Sequence, residues 1–313
     1  MSKNIQYVFG PVPSRRLGYS FGIDVIPFKT CTLDCVYCQL GRTTHKTLER
    51  REWVPTQQVI KEIRDVVARH PEIDYLTFSG SGEPTLHSQL GEIIIEVKKY
   101  CSIPIAVITN STLFYEPDVR ANLMPADLIV PSIDAVSTKV FNRLNRPHPD
   151  LRIDSILKGL ATFSREYHGT LWIEIMIARG FNDTAEELEC IAKKLEPVRF
   201  DKIHLNTVTR PPAESTVEPA DEAAIELALD IFGERAEIIG SFEKEKIVLE
   251  QADIRQRIQA LVTRHPESAA KISRVLGIAQ DVVEENLRAL VEEQKIVAVT
   301  HQGEQFYRCP EKT

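Results

Sequence analysis

The sequence predicts an α/β protein: a parallel sheet built from strand–helix repeats, then a small tail of helices and a hairpin. Three observations carry this. Short apolar runs alternate with segments of helical apolar spacing, six times between residues 20 and 208. Such alternation implies parallel strands joined by right-handed crossovers. In the tail the pattern changes to amphipathic helices and two short strands around Gln302-Gly303, a hairpin turn signal.

The elements follow in order. Phe21–Phe28 reads as the first strand. Thr56–His70 is a helix with Val59, Ile63, Val66 and Val67 on one face. Ile73–Phe78 is a strand, Leu90–Tyr100 a helix turning Ile93, Ile94 and Val97 inward, and Ile103–Ile108 the third strand. Asp127–Ile133 is the fourth, followed by the helix Leu151–Tyr167. Leu171–Ala178 is the fifth strand. Its helix, Thr184–Leu195, opens on an Asp/Thr cap with acids in the first turn. Lys202–Val208 is the sixth strand, and a Pro-rich loop over 209–219 follows it. Periodicity fits either an open doubly wound sheet or a partial βα barrel.

In the tail, Asp253–Arg264 is amphipathic, Ser268–Leu276 is a short helix stopped at Gly277, and Gln280–Gln294 turns Val283, Leu287, Leu290 and Val291 inward. Strands Ile296–Thr300 and Gln305–Arg308 complete a winged helix-turn-helix. The boundary falls between Gly240 and Asp253, giving domains 1–245 and 246–313. No repeat other than the βα alternation is present.

The bulk numbers are those of a globular protein: 313 residues, 43% apolar, 27% charged, net charge −7. No apolar run approaches the roughly 20 residues of a membrane helix, and the first residues lack a signal-peptide core, so a cytoplasmic protein is expected. The acidic balance disfavours a general nucleic-acid coat.

Three of the six cysteines crowd into Thr30-Cys-Thr-Leu-Asp-Cys-Val-Tyr-Cys-Gln39, spaced C-x3-C-x2-C in a loop after the first strand. A disulfide framework would spread its cysteines in pairs, whereas clustered cytosolic cysteines bind metal or do redox chemistry. Cys31, Cys35 and Cys38 suit three corners of a 4Fe–4S cubane, leaving the fourth iron open to a small ligand. Zinc would want a fourth protein ligand, for which His45 is a candidate at an unusual spacing. The bland alternative is three incidental thiols.

This spacing, with the aromatic Tyr37 just before the third cysteine, resembles the radical S-adenosylmethionine superfamily. The resemblance implies a partial (βα)6 barrel of TIM type. It implies a 4Fe–4S cluster on Cys31, Cys35 and Cys38 whose open iron chelates S-adenosylmethionine, with Tyr37 near the adenine. Phe78-Ser-Gly-Ser-Gly-Glu-Pro-Thr-Leu86 resembles the family's Gly-Gly-Glu motif, which holds the methionine amine through Gly80, Gly82 and Glu83. A carboxylate suits an ammonium, and glycines admit a close backbone. Asn110 ends the third strand, and Ser132-Ile-Asp134 resembles the family's ribose-contacting segment. Read without the resemblance, these segments are a strand-to-helix turn and helix caps.

Gly10-Pro-Val-Pro-Ser-Arg-Arg-Leu-Gly18, Gly22-Ile-Asp and Cys38-Gln-Leu-Gly-Arg42 narrow the resemblance to the branch that includes wyosine-base synthases acting on tRNA. Those enzymes carry further cysteines upstream for a second cluster. This chain has none before Cys31, so one cluster is implied. The implied reaction is reductive cleavage of S-adenosylmethionine to a 5′-deoxyadenosyl radical that abstracts hydrogen from substrate. An RNA base or nucleotide is the leading substrate class, and a protein or peptide the runner-up. A flavodoxin or ferredoxin would supply the electron.

Cys101 falls at a helix-to-strand turn, Cys190 mid-helix among apolar neighbours, and Cys309 near the end; nothing brings them together. Arg42, Arg143, Arg146, Arg179 and Arg210 follow the triplet or the fourth to sixth strands, on the face where barrels place their chemistry. Guanidiniums there suit a phosphate or carboxylate, and solvated surface is the alternative. Arg15 and Arg16 join this face or fasten the N-terminal arm. Glu174 is a candidate ligand contact, sharing its strand side with Trp172 and Met176.

A winged helix suggests DNA, but the third tail helix carries Asp281, Glu284, Glu285, Glu292 and Glu293 against Arg288. Phosphate would repel it, so a docking module is favoured over duplex-DNA readout. The rival to the enzyme is an iron–sulfur regulator that binds DNA. Release of 5′-deoxyadenosine separates the two.

Overall fold

The computed structural model describes residues 7–310 except 15, 70–72, 240–253 and 277. Arg15, His70, Gly277, Asp253 and the expected domain boundary therefore lie outside the described residues.

The described chain forms one large sheet flanked by helices, then a helical tail. Strands β1 (Val8–Ser14) and β2 (Gly18–Ile23) pair antiparallel. Two short strands follow, β3 (Thr30–Cys31) and β4 (His45–Lys46), then helix α1 (Thr56–Val67). Next come β5 (Tyr75–Phe78), α2 (Leu90–Lys98), β6 (Ile105–Thr109), α3 (Pro117–Leu123) and β7 (Leu128–Pro131). Helices α4 (Thr138–Leu144) and α5 (Ile153–Glu166) lead to β8 (Thr170–Ile177), α6 (Ala185–Leu195), β9 (Lys202–Thr207), α7 (Glu222–Phe232) and β10 (Ala236–Ile238). The sheet has eight strands in the order β1-β2-β5-β6-β7-β8-β9-β10, and every pair from β2 onward is parallel.

Side-chain alternation sets the layers. On β8, Leu171, Ile173, Ile175 and Ile177 are wholly buried toward the helices, and Trp172, Glu174 and Met176 take the other face. Against the outer face pack Val59, Ile60 and Ile63 of α1, and Ile156, Leu160 and Phe163 of α5. The Thr184 hydroxyl accepts from Glu187 N and caps α6, with Glu186 and Glu187 in its first turn as expected. The inner face curls on itself. Four strand spacings separate β2 from β8, roughly 19 Å in a flat sheet. Yet Arg16, in the turn before β2, forms an ion pair with Glu174 of β8. Leu17, Ala106, Leu128 and Val130 share one cluster, with Trp172 packed against it. The mostly parallel α/β sheet is thus a partial barrel.

The tail comprises α8 (Ile254–Arg264), α9 (Ala269–Leu276), α10 (Gln280–Glu292) and the hairpin β11 (Val297–His301)–β12 (Glu304–Arg308). It has its own core, including Ile258, Leu261, Ile272, Val283, Leu287, Leu290 and Tyr307. Val12 of β1 packs against that core, so the tail sits on the edge strand of the sheet.

Several expectations are corrected. The first parallel strand is Gly18–Ile23, not Phe21–Phe28: the chain leaves the sheet near Asp24, and Val25 and Ile26 are buried as loop residues. The sheet has eight strands rather than six. β1 hides behind the turn-like Gly-Pro-Val-Pro, which an edge strand tolerates. Helices α3, α4 and α7 and strand β10 were also unforeseen. No described helix is long and apolar enough to cross a membrane.

Candidate active site

The cysteine loop is a tightly tied turn. β3 pairs with β4, and Thr47 N donates to Cys31 O at 3.0 Å. Asp34 accepts from Thr43 N at 2.8 Å, and the Thr43 hydroxyl donates to Leu33 O at 2.7 Å. Val36 is buried, and its N–H donates to Leu144 O at the end of α4. Cys31, Cys35 and Cys38 are free thiols, each partly buried. Asn110 Nδ2 stands 3.5 Å from Cys31 Sγ, and Asn145 Nδ2 stands 3.5 Å from Cys35 Sγ.

Burial, with Glu83 adding to it, pushes the Cys31 thiol up to about 12. Burial and then Asp134 push Cys35 well above its ordinary value. Cys38 is raised by burial, and Lys29 pulls it part of the way back. Bound metal inverts this balance by holding thiolates. Among the described residues no three Cys, His, Asp or Glu side chains are already gathered around a single metal-ion position. A cubane takes each sulfur on a separate iron, so its ligands need not converge, and the donor set of three thiols with amide N–H groups nearby fits such a cluster. His45 is exposed on β4, edge-on to Trp53.

The ends of β5, β6 and β7 lie beside the cysteine loop. Glu83 follows β5 and is 2% exposed. Its Oε1 accepts from Thr85 N at 3.0 Å, Thr85 Oγ1 at 2.6 Å and Thr109 Oγ1 at 2.6 Å, and its Oε2 accepts from Asn110 N at 2.8 Å. The carboxylate thus fastens the ends of β5 and β6 together. A Cβ at Gly82 would lie 1.8 Å from Thr30 O, so the glycine lets this loop press on the cysteine strand. Gly80 has φ +134°, a region that favours glycine, and lies against the Asp24 carboxyl.

Asn110 ties three parts together: its Nδ2 donates to Thr32 Oγ1 at 2.8 Å and its Oδ1 accepts from Thr112, besides the Cys31 contact. Asp134 receives the Tyr37 hydroxyl, Asn145 Nδ2 at 2.8 Å and Met176 N at 2.9 Å. Burial raises its pKa to about 6. Ser132 is half-buried, its carbonyl accepting from Ser111 Oγ at 3.0 Å, and it lines a small cavity with Asn110, Asp134 and Asn145. Sequence reasoning missed Asn145, Thr32 and Asp24. Asn145 sits at the end of α4, where asparagine carries only a capping signal.

The arginines are distributed differently from a ring of free cations. Arg42 and Arg146 both pair with Glu214, the latter at 2.8 Å, and Arg179 pairs with Glu218 at 3.3 Å. Arg210 pairs with Glu267 at 2.6 Å. Arg143 donates to Gly180 O and lies over the Phe181 ring. Glu174 meets Arg16 and accepts from Asn206 Nδ2 at 3.0 Å inside the barrel. Cys101 is buried, Cys309 half-buried and Cys190 exposed, so Cys190 is surface rather than core filling.

A second cavity lies between the barrel and the tail, lined by Arg16, Ser20, Thr77, Ser79, Arg210, His265 and Glu267 among others. Thr77 is 3% exposed, and its hydroxyl has no hydrogen-bond partner.

The profile of the radical SAM superfamily matches residues 25–195, more than half of the chain. The UPF0026 protein MJ1312 of Methanocaldococcus jannaschii is 37% identical over 309 residues, covering 96% of this chain and 94% of that protein. A UPF0026 protein of Helicobacter pylori strain J99 is 32% identical, covering 88% of this chain and 89% of its own. Among solved structures, TYW1 with a lysine-pyruvate adduct bound is similar in fold: TM-score 0.51, 18% identity, 73% of this chain and 76% of that one. A radical SAM methyltransferase from Sphaerobacter thermophilus gives TM-score 0.52 at 15% identity, covering 70% and 66%. The chain therefore belongs to the radical SAM superfamily of enzymes, among the UPF0026 proteins.

Proposed function

We propose that this enzyme holds one 4Fe–4S cluster on Cys31, Cys35 and Cys38 and binds S-adenosylmethionine with Tyr37, Gly80, Gly82, Glu83, Asn110, Ser132 and Asp134. One observation carries the assignment: two asparagines each join one of the three thiols to one of the two buried carboxylates. Asn110 reaches Cys31 and Glu83, and Asn145 reaches Cys35 and Asp134. When bound, the reduced cluster supplies the electron that splits the sulfonium at C5′, giving methionine and a 5′-deoxyadenosyl radical that takes hydrogen from substrate.

The chain's own residues orient and shield. Glu83 Oε1 is saturated by three donors, which leaves capacity on Oε2 for an ammonium. Asp134 is aimed by Met176 N and Asn145, and its oxygens suit ribose hydroxyls if the Tyr37 hydroxyl yields. The amide donors of Asn110 and Asn145 stabilise charge on the sulfurs. The buried surroundings exclude water from a radical.

For the substrate we propose an RNA base or nucleotide, on the motif resemblance to the wyosine-base synthases. Arg143, Arg146, Glu174, Arg179 and Arg210 are the candidate contacts around its path. A protein or peptide is the second reading. What favours it is that Arg146, Arg179 and Arg210 already face carboxylates, which leaves little cationic track for a phosphate backbone. We read the three tail helices and hairpin as a winged helix-turn-helix, with domains near 1–245 and 246–313, used for docking. Exposed Asp281, Glu285 and Glu292 on α10 disfavour duplex DNA. A flavodoxin or ferredoxin is the proposed electron donor.

The test is anaerobic reconstitution with iron and sulfide, then reduction with dithionite in the presence of S-adenosylmethionine. The expected products are methionine and 5′-deoxyadenosine. A full cluster without cleavage, or cleavage by Cys35→Ala, overturns the assignment.

A further inference from the structure

The segment joining α8 to α9 lies against both loops of the candidate active site. Arg264, the last residue of α8, places Nε 3.1 Å from Asp24 Oδ2, with its guanidinium over the Phe9 ring. Asp24 follows β2 and is 7% exposed. On its other side stands Ser81, whose N–H donates to Oδ1 at 3.3 Å and whose hydroxyl donates to Oδ2. Ser81 sits between Gly80 and Gly82, in the loop that leads to Glu83. Arg264, Asp24 and Ser81 thus form one chain of contacts from the tail to the glycine loop.

A second chain reaches the cysteine loop. Gln39 directly follows Cys38. Its Nε2 donates to Arg264 O at 3.2 Å and stands 3.3 Å from His265 Nδ1, and its Oε1 accepts from Arg210 Nη1 at 2.8 Å. Arg210, in the loop after β9, continues to Glu267 of the tail. Glu267 exchanges backbone hydrogen bonds with Tyr307, which anchors the segment to β12. Four residues of the tail, 264–267, therefore span the loops after β2, β5 and β9.

We propose that Arg264 is a positioning residue that clasps the glycine loop, and through Gln39 the end of the cysteine loop, in the shape that receives S-adenosylmethionine. The tail is then a working part of the cofactor site. This rests on the reading of the site given above. The physics is that of a buried ion pair. Removing the guanidinium leaves the Asp24 carboxylate without its cation in a buried setting, which is costly. The group then takes up a proton or draws in water, and either change loosens its hold on Ser81. Backbone bonds hold the loop from the cysteine side, Lys29 N to Ser81 O at 2.7 Å and Glu83 N to Thr30 O at 3.2 Å, so what Arg264 governs is the hold on the Ser81 N–H and hydroxyl between two glycines.

The experiment uses the full chain with Arg264→Ala and Arg264→Lys. In the protein as isolated, hydrogen exchange of the peptide over 79–83 is expected to quicken at least about tenfold in R264A, with R264K between it and the wild type. The peptide over α5 should be unchanged. In reconstituted protein, iron per chain and the signal of the reduced cluster alone should match the wild type. Affinity for S-adenosylmethionine should fall about tenfold, and the change it causes in the paramagnetic spectrum should be altered. A merely structural ion pair would not separate these readouts. Wild-type exchange at 79–83 in R264A overturns the clasp. If R264A unfolds broadly, seen as faster exchange in α5, R264K decides: wild-type exchange at 79–83 and wild-type affinity overturn the proposal. If the wild type itself shows no response to S-adenosylmethionine, the reading of the site fails, and exchange at 79–83 still judges the clasp.

Discussion

The cysteine face and the arginine rim around it balance charge in opposite ways. On the face, three thiols, the Tyr37 phenol and the Glu83 and Asp134 carboxyls lie close together, and burial pushes each toward its neutral form. Negative neighbours add to the push: Glu83 on Cys31, Asp134 on Cys35 and Tyr37. On the rim, by contrast, Arg42, Arg146, Arg179 and Arg210 each meet a glutamate. Lys29 beside Cys38 offsets only part of this, so the face is short of positive charge, and the rim has little to spare. An occupant that brings cations, such as iron, an ammonium or a sulfonium, completes the face. A polyanion gains little from the rim unless its pairs first open.

The largest expected effect tests the face directly. Cys35 lies between Asn145 and the negative charge of Asp134. Cys35→Ala should reduce bound iron from about four per chain to a small fraction, because two thiolates hold a cubane poorly. Cleavage of S-adenosylmethionine should fall to background. Iron and sulfide analysis with spectroscopy checks this. A complete cluster in the variant would break the contrast at its centre.

Next comes the carboxylate that fastens the strand ends. In Glu83→Gln, one oxygen becomes an NH2 group facing N–H and O–H donors from Thr85, Thr109 and Asn110. At least one contact turns from attraction to repulsion. The loss should be about 1–3 kcal/mol in urea unfolding of the cluster-free protein, with weaker binding of S-adenosylmethionine. Equal stability in Gln and Glu forms would show that charge at this point is not what joins β5 to β6.

The two regions were unequally legible in the sequence. The cysteine spacing is local, and so are the motifs at Gly80–Glu83 and Ser132–Asp134, since each occupies one strand end. Strand–helix alternation then brings those ends to one face. The rim was not legible, because its pairs join distant segments: Arg42 with Glu214, and Arg210 with Glu267 of the tail. No local pattern encodes them. β1 was hidden for a different reason. Its Gly-Pro-Val-Pro stretch has turn composition, and only the edge position makes a strand of it. Asn145, which serves both Cys35 and Asp134, looks like any helix-terminal asparagine.

A smaller effect lies where rim and tail meet. His265 is held neutral down to about 3 by burial first, then by Arg210, Arg264 and Lys271, with Glu267 opposing. In the unfolded chain the ring takes its proton near 6.5. Between those values the unfolded chain binds more protons, so this residue's contribution to stability falls as pH drops from 6.5 toward 3. Asp24 and Glu83, raised by burial, act in the opposite sense, so the comparison between variants is the readout. On moving from pH 7 to 5, Tm should fall further in the wild type than in His265→Gln. Parallel curves would mean that the tail carries no such acid sensitivity.

The smallest effect belongs to the outermost pair and marks where the contrast ends. The Arg42 side chain is 61% exposed. Its partner Glu214 also accepts from Arg146 Nη1 at 2.8 Å, and Arg146 is the first of the causes that hold that carboxyl below the usual range. Removing Arg42 leaves Glu214 paired, in a place that water already screens. Arg42→Ala should therefore change stability by no more than about 0.5–1 kcal/mol, and 0.5 M salt should erase the difference. Urea unfolding at low and high salt checks both statements. A loss of several kcal/mol that persists in salt would mean that the rim is as tightly built as the cysteine face, and the two regions would no longer differ in kind.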